Sequence, residues 1–196
     1  MKIAITGGIG SGKSHVCQLL AGYGIKVYDC DTAAKRLMAS SPPLQARLQE
    51  LVGGGVYINK VLQKSVLAQY LLASDANKQA VDNVVHPAVA ADFMASGLEW
   101  LESAILFDSG FYRRVSFDYV VCVSAPIEVR VERIVRRDNT TRERALQWIG
   151  RQMPQEQVER LSDFVVCNDG RSNVNQQIEN ILKQIKRYRK WKLFYL

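Results

Sequence analysis

Thr6-Gly7-Gly8-Ile9-Gly10-Ser11-Gly12-Lys13-Ser14 decides how this chain folds. From Gly7 to Ser14 it matches GxxxxGK[ST] in full, the pattern of a loop that wraps phosphate. Its position supports that reading. Ile3-Ala4-Ile5 precedes it as a short apolar run, the signature of a buried strand, and a helical pattern from Lys13 to about Ala21 follows. Strand, glycine-rich loop and helix N-terminus together make an anion site. Glycines let backbone N–H groups turn inward, and the helix end adds partial positive charge. The loop implies ATP or GTP, with Lys13 reaching the β- and γ-phosphates and the Ser14 hydroxyl available to Mg2+.

Working outward, Gly22 and Gly24 stop the first helix, and Ile25-Lys26-Val27-Tyr28 is a second short strand. Strands are also expected at Leu98–Glu102, Phe117–Val123 and Phe164–Cys167. Helices are expected from Pro126 to about Arg137, over 141–151, and from about Asn173 to Trp191. Alternating strands and helices imply an α/β fold, a parallel five-stranded sheet covered on both faces. Two stretches stand outside the alternation. Residues 33–95 read as a helical insertion, with a turn at Gly53-Gly54-Gly55, an N-cap at Asp75, and a kink or break at His86-Pro87. Residues 137–155 form an Arg-rich segment ended by Met153-Pro154. The core is then 1–32, 96–136 and 156–196.

Composition limits the function classes. The chain has 196 residues, 47% apolar and 23% charged, ordinary for a globular protein. No apolar run approaches the roughly 20 residues that cross a bilayer, and the N-terminal apolar stretch is too short for a signal peptide. The net charge of +7 is concentrated at one end: residues 183–196 hold six Lys and Arg and no acid, leaving +1 on the rest. A basic tail on a near-neutral body is poor support for nucleic-acid binding. That tail also carries Trp191, Phe194 and Tyr195, so it is expected to dock an apolar stripe on the core. Cys17, Cys30, Cys122 and Cys167 lie in no CxxC pair and only two histidines exist, so zinc spacing is absent and a reducing, cytoplasmic setting is expected.

Asp29-Cys30-Asp31 follows the second strand, on the edge of a parallel sheet where ligands sit. Asp31 can deprotonate and align an acceptor hydroxyl, or it can cap a helix. Glu102 closes the third strand and is either a Mg2+-holding carboxylate or an ordinary exposed strand end. Arg130, Arg133 and Arg137 share a helical face, with Arg136, Arg142, Arg144 and Arg151 nearby. A mobile arginine lid could close on a triphosphate, while Glu132–Arg136 pairing on a solvated helix is the plainer alternative. His86 is a packed histidine or a substrate contact. Three other functions fit the same loop: a different small-metabolite or nucleotide kinase, a nucleic-acid-stimulated ATPase using the tail, and a nucleotide-binding regulator without transfer.

Beyond the loop, Asp29-Cys30-Asp31, His86-Pro87, Leu106-Phe107-Asp108-Ser109-Gly110, Arg137-Asp138, Gln152-Met153-Pro154 and Asp163-Phe164-Val165-Val166-Cys167-Asn168 occur in one order. In that order and spacing the chain resembles the dephospho-CoA kinase family along nearly its whole length. The resemblance implies a P-loop kinase with a core, a helical CoA-binding domain over 33–95 and a lid over 137–155. It implies phosphorylation of the ribose 3′-hydroxyl of dephospho-CoA by ATP with Mg2+, without nucleic acid or membrane, in a monomer or small homo-oligomer. It implies catalytic roles for Lys13, Asp31 and Arg137. Nucleotide contacts fall to Gly8, Ile9, Gly10, Ser11, Gly12, Lys13, Ser14, His15, Arg137 and Asn168. Substrate contacts fall to Asp31, Lys35 and His86, and metal contacts to Ser14 and Glu102. Five positions depart from the family pattern: His15 where Thr is usual, Lys60 for Arg, Ala104 for Pro, Asp108 for Glu, and Val158 for Lys.

Overall fold

In a computed structural model the backbone is described for residues 1–195 and the side chains for residues 1–187. Five parallel strands form the central sheet: β1 (Ile3–Thr6), β2 (Val27–Asp29), β5 (Trp100–Glu102), β6 (Tyr119–Ser124) and β7 (Phe164–Cys167). Their spatial order is β2-β5-β1-β6-β7. Ile3 pairs with Trp100 on one side and Tyr119 on the other, so β1 is central. All five strands point the same way, so their carboxyl ends meet on one edge. That edge gathers the loop after β1, Asp29, Glu102, Ser124 and Asn168.

Alternation along β1 divides the core. Ile3 and Ile5 face α1 (Lys13–Gly22) and α9 (Val174–Tyr195), packing with Val16, Leu20, Ile178 and Ile181. Ala4 faces the opposite layer with Leu101, Phe93 and Val89. The apolar stripe of α9 is buried at Ile178, Ile181, Leu182 and Ile185. The expected docking of Trp191, Phe194 and Tyr195 lies outside the described side chains.

Between β2 and β5 the chain builds α2 (Cys30–Ser40), α3 (Pro42–Val52), α4 (Lys64–Ala73) and α5 (Asp75–Ala95). Gly54–Val56 form a 3-10 turn, and Tyr57–Ile58 (β3) and Val61–Leu62 (β4) form a hairpin that the sequence reading missed. Its turn residues Asn59 and Lys60 both have positive φ (51° and 65°), the conformation of a two-residue hairpin turn. Of two further expectations in this region, the cap shifts by one residue, and the break at Pro87, as distinct from a kink, is ruled out. Ser74, not Asp75, caps α5, its side chain accepting from the Asn77 N–H at 3.1 Å. Pro87 does not interrupt α5, which runs 21 residues through it. The lost N–H is one bond, whereas Val81, Val85, Val89, Ala90 and Phe93 are buried along the same helix, so packing outweighs it.

After β6 come α6 (Ile127–Asp138), α7 (Arg142–Gly150) and α8 (Gln155–Arg160). Met153-Pro154 ends α7 as expected, but Pro154 also opens α8, a helix the sequence reading did not anticipate. Val158, a departure from the family pattern, is buried on α8.

Candidate active site

The loop after β1 is held from behind by its neighbours. Gly7 has φ 140°, and a Cβ there would strike the Val123 carbonyl. Gly10 has φ 78°, and a Cβ would lie 2.7 Å from the Arg130 carbonyl, so both positions need glycine. The outward carbonyls are occupied. Arg130 Nε donates to Ile9 O at 2.9 Å, Arg133 donates to Ser11 O at 3.2 Å, and Asn168 Nδ2 donates to Ser11 O at 2.9 Å. Arg133 also reaches the Asn168 side-chain oxygen at 3.3 Å. From the far side Gln152 Oε1 accepts the Ile9 N–H at 2.7 Å. With their carbonyls tied outward, the remaining loop N–H groups form a cradle for an anion.

Above this cradle is a polar cavity of about 560 Å³. Ile9, Gly10, Gly12, Lys13 and Ser14 line one wall, and Asp29, Asp31, Lys35, Glu102, Arg133 and Arg137 line others. Lys13 Nζ lies 3.7 Å from Glu102 Oε1. Burial acts on both partners: it pulls Lys13 below the usual amine range and pushes Glu102 above the usual carboxylate range, each opposed by attraction to the other. A phosphate placed beside Lys13 would strengthen its cationic form by direct charge attraction.

Asp29 and Asp31 take different roles. Asp29 accepts from both the N–H and the hydroxyl of Thr32 at 2.9 Å, so Asp29 caps α2. Asp31 sits in the first turn of α2, exposed, with its carboxylate outside the capping bonds. One turn on, Lys35 lines the same cavity. Arg137 stands at its rim, its guanidinium held to Asp138 at 2.7 and 2.9 Å. That bond raises the Arg137 pKa and depresses that of Asp138.

A second cavity, of about 460 Å³ and mostly apolar, opens between α2, α4 and α5. Met38, Leu67, Val81, Val85 and Phe111 contribute to its wall, and so does Asp31. Asp31 therefore lines both cavities. His86 faces the apolar cavity, its Nε2 3.6 Å from Asp82 Oδ1 and its ring edge-on to Phe111. Burial lowers the His86 pKa, and its buried Nδ1 has no hydrogen-bond partner among the described residues.

Several expected residues lie elsewhere. His15 is exposed and outside the lining of the polar cavity. Gly8, Ser11 and Asn168 are also outside that lining, and Asn168 is buried behind the loop. Arg130 and Arg133, grouped by spacing with Arg137, buttress loop carbonyls; Arg130 is only 5% exposed. Gln152 went unassigned in the sequence reading although it grips the loop and lines the cavity. Its motif was visible, but nothing local in sequence shows that Gln152 and Ile9 meet. Asp108, another departure, accepts the Met153 N–H at 2.6 Å and so fastens the residue beside Gln152.

Fold and site define a P-loop phosphotransferase. The model of the dephospho-CoA kinase family (CoaE) matches residues 1–174, and the chain belongs to that family. It is 40% identical over 193 residues to a dephospho-CoA kinase of Bacteroides fragilis, covering 93% of this chain and 91% of that one. The dephospho-CoA kinase of Porphyromonas gingivalis is 37% identical over 194 residues, covering 94% of both chains. Among solved structures, TT1252 from Thermus thermophilus superposes with a TM-score of 0.75 at 31% identity, over 96% of this chain and 97% of that one. The activity is ATP-dependent phosphorylation of dephospho-CoA in coenzyme A biosynthesis.

Proposed function

We propose that the polar cavity takes ATP, the apolar cavity takes the adenosine end of dephospho-CoA, and transfer to the ribose 3′-hydroxyl occurs where they meet. The observation that carries this is the position of Asp31 in the walls of both cavities. A base must reach the acceptor oxygen while that oxygen faces the γ-phosphorus in line with the leaving oxygen. A carboxylate at the junction of the two chambers satisfies both demands. The acceptor proton passes to Asp31, the new O–P bond forms, the γ–β bridging bond breaks, and ADP leaves.

Lys13 supplies a cation at the β- and γ-phosphates, exchanging its bond with Glu102 for phosphate oxygens. Arg137 swings from Asp138 to the transferring group, and residues 137–155 act as the lid that brings it there. Lys35 and His86 border the acceptor, and residues 33–95 form its binding domain. Ser14 and Glu102 both offer hard oxygens to the polar cavity, which suits Mg2+, a cation commonly held by one or two protein oxygens plus phosphate. Bound there, Mg2+ would neutralise phosphate charge. The four free thiols fit a reducing cytoplasm.

ADP release should be measured with ATP and magnesium, with and without dephospho-CoA, together with the product mass. Acceptor-dependent ADP and one added phosphate on the 3′ oxygen are expected. Phosphate on another oxygen would sink the placement of the ribose.

A further inference from the structure

A third cavity, of about 300 Å³, adjoins the apolar one and lies between α5, the loop after β5 and the end of α7. The two chambers share Lys78 and Arg151 in their walls, together with Asp82, Ile105 and Ser109. Lys78 is the fourth residue of α5, and Arg151 follows directly on α7. Both are exposed, and neither makes an ion pair or a side-chain hydrogen bond among the described residues. Other arginines nearby are committed: Arg142 to Glu128, Arg137 to Asp138, and Arg130 and Arg133 to loop carbonyls.

Carboxylates also border this space. Asp82 lies beside His86, Asp108 accepts the Met153 N–H, and Asp75 occupies the first turn of α5. None of these three carboxylates forms an ion pair with Lys78 or Arg151 among the described residues, so both cations are open to an anion from outside. Two unpaired cations on a shared wall call for an anion between the chambers. An acceptor whose ribose hydroxyl rests at Asp31 carries such an anion a short distance away, the 5′-diphosphate joining adenosine to the pantetheine arm.

We infer that Lys78 and Arg151 bind the diphosphate of dephospho-CoA and set the preference for an acceptor that carries one, an assignment that rests on the acceptor placement proposed above. Arg151 presents a planar fork suited to phosphate oxygens, while Lys78 supplies a compact charge. Because Arg151 adjoins Gln152, which holds the Ile9 N–H, the same turn touches acceptor and nucleotide loop.

The test uses K78M and R151M, which keep the side-chain stem and remove charge, with K78R and R151K as conservative controls. Steady-state kinetics should show KM for dephospho-CoA raised roughly tenfold in each Met variant, about 1.4 kcal/mol apiece. KM for ATP and kcat should stay within about twofold, and calorimetric binding of adenosine, which lacks the diphosphate, should match wild type. K78R should recover most of the lost affinity. An unchanged KM for dephospho-CoA, or equal weakening of adenosine and dephospho-CoA, overturns the assignment. Failure of the acceptor placement reads differently: the wild-type enzyme would then add phosphate at an oxygen other than the 3′.

Discussion

Asn168 separates two accounts of the same residue. As a nucleotide contact, its loss would weaken ATP binding and leave the free protein's stability alone. As a buttress, its loss should destabilise the free protein before ATP is added. Asn168→Leu keeps the volume and removes both polar groups. The donor to Ser11 O at 2.9 Å disappears, and so does the acceptor for Arg133 at 3.3 Å. Ser11 O keeps Arg133 as a second donor at 3.2 Å, so it is not orphaned. Two net hydrogen bonds, one to a charged group, are worth roughly 2 kcal/mol in such a partly compensated site. For a chain of this size that predicts a fall in Tm of roughly 4–8 °C. Asn168→Asp should do at least as much harm, because it sets a carboxylate oxygen against the Ser11 carbonyl. Differential scanning calorimetry without nucleotide, beside KM for ATP, checks this. An unaltered Tm in Asn168→Leu with a steep rise in KM for ATP would refute the buttress account.

Other outcomes follow from the same geometry. Asp31→Asn should lower kcat by about 10²–10⁴ while ATP binding persists, the range for losing a general base; near-normal turnover would remove Asp31 from that role. Gly10→Ala should cost most of the ATP affinity, since its methyl would lie 2.7 Å from the Arg130 carbonyl; titration with a fluorescent ATP analogue reads this directly. Asp169 accepts the N–H groups of Arg171 and Ser172, which depress its pKa from 3.8 to about 2. A depressed carboxylate stabilises the fold above its unfolded value and loses that contribution as pH falls. The urea midpoints of wild type and Asp169→Asn should therefore differ at neutral pH and converge between about pH 4 and 2.

Much of the fold was legible because its signals are local. Ile3-Ala4-Ile5 ahead of the glycines, and the short apolar runs later, state a parallel sheet within windows of a few residues. Ends and caps were less secure. Ser74 and Asp75 are both good capping residues, and which one starts α5 depends on where the chain turns in from α4. Pro87 reads as a breaker from its ring alone, whereas the buried face of the helix that carries it is set by residues elsewhere in the chain. At the site, spacing placed Arg130, Arg133 and Arg137 on one face of α6, but periodicity cannot say what lies opposite. The base of that face meets the loop's carbonyls, so Arg130 and Arg133 are supports, while Arg137, paired with Asp138, lines the cavity at its rim. Gln152 and Ile9 are 143 residues apart in sequence, and only the fold brings them together.

The strand order has a consequence for how the protein is made. β1 and β2 both pair with β5 and not with each other. A nascent chain that has emerged only as far as residue 99 therefore holds two strands with no partner between them. The helices of 30–95 pack on one another, α2, α3 and α4 against α5, and can begin to assemble before β5 emerges, since contacts inside one segment cost less loop entropy than those across the whole chain. The nucleotide loop hangs from β1, and its sheet gains lateral support on that side only when Trp100–Glu102 slots between β1 and β2. Synthesis thus delivers the helical layer first and the phosphate cradle second, and a truncation before residue 100 should give helix without nucleotide binding.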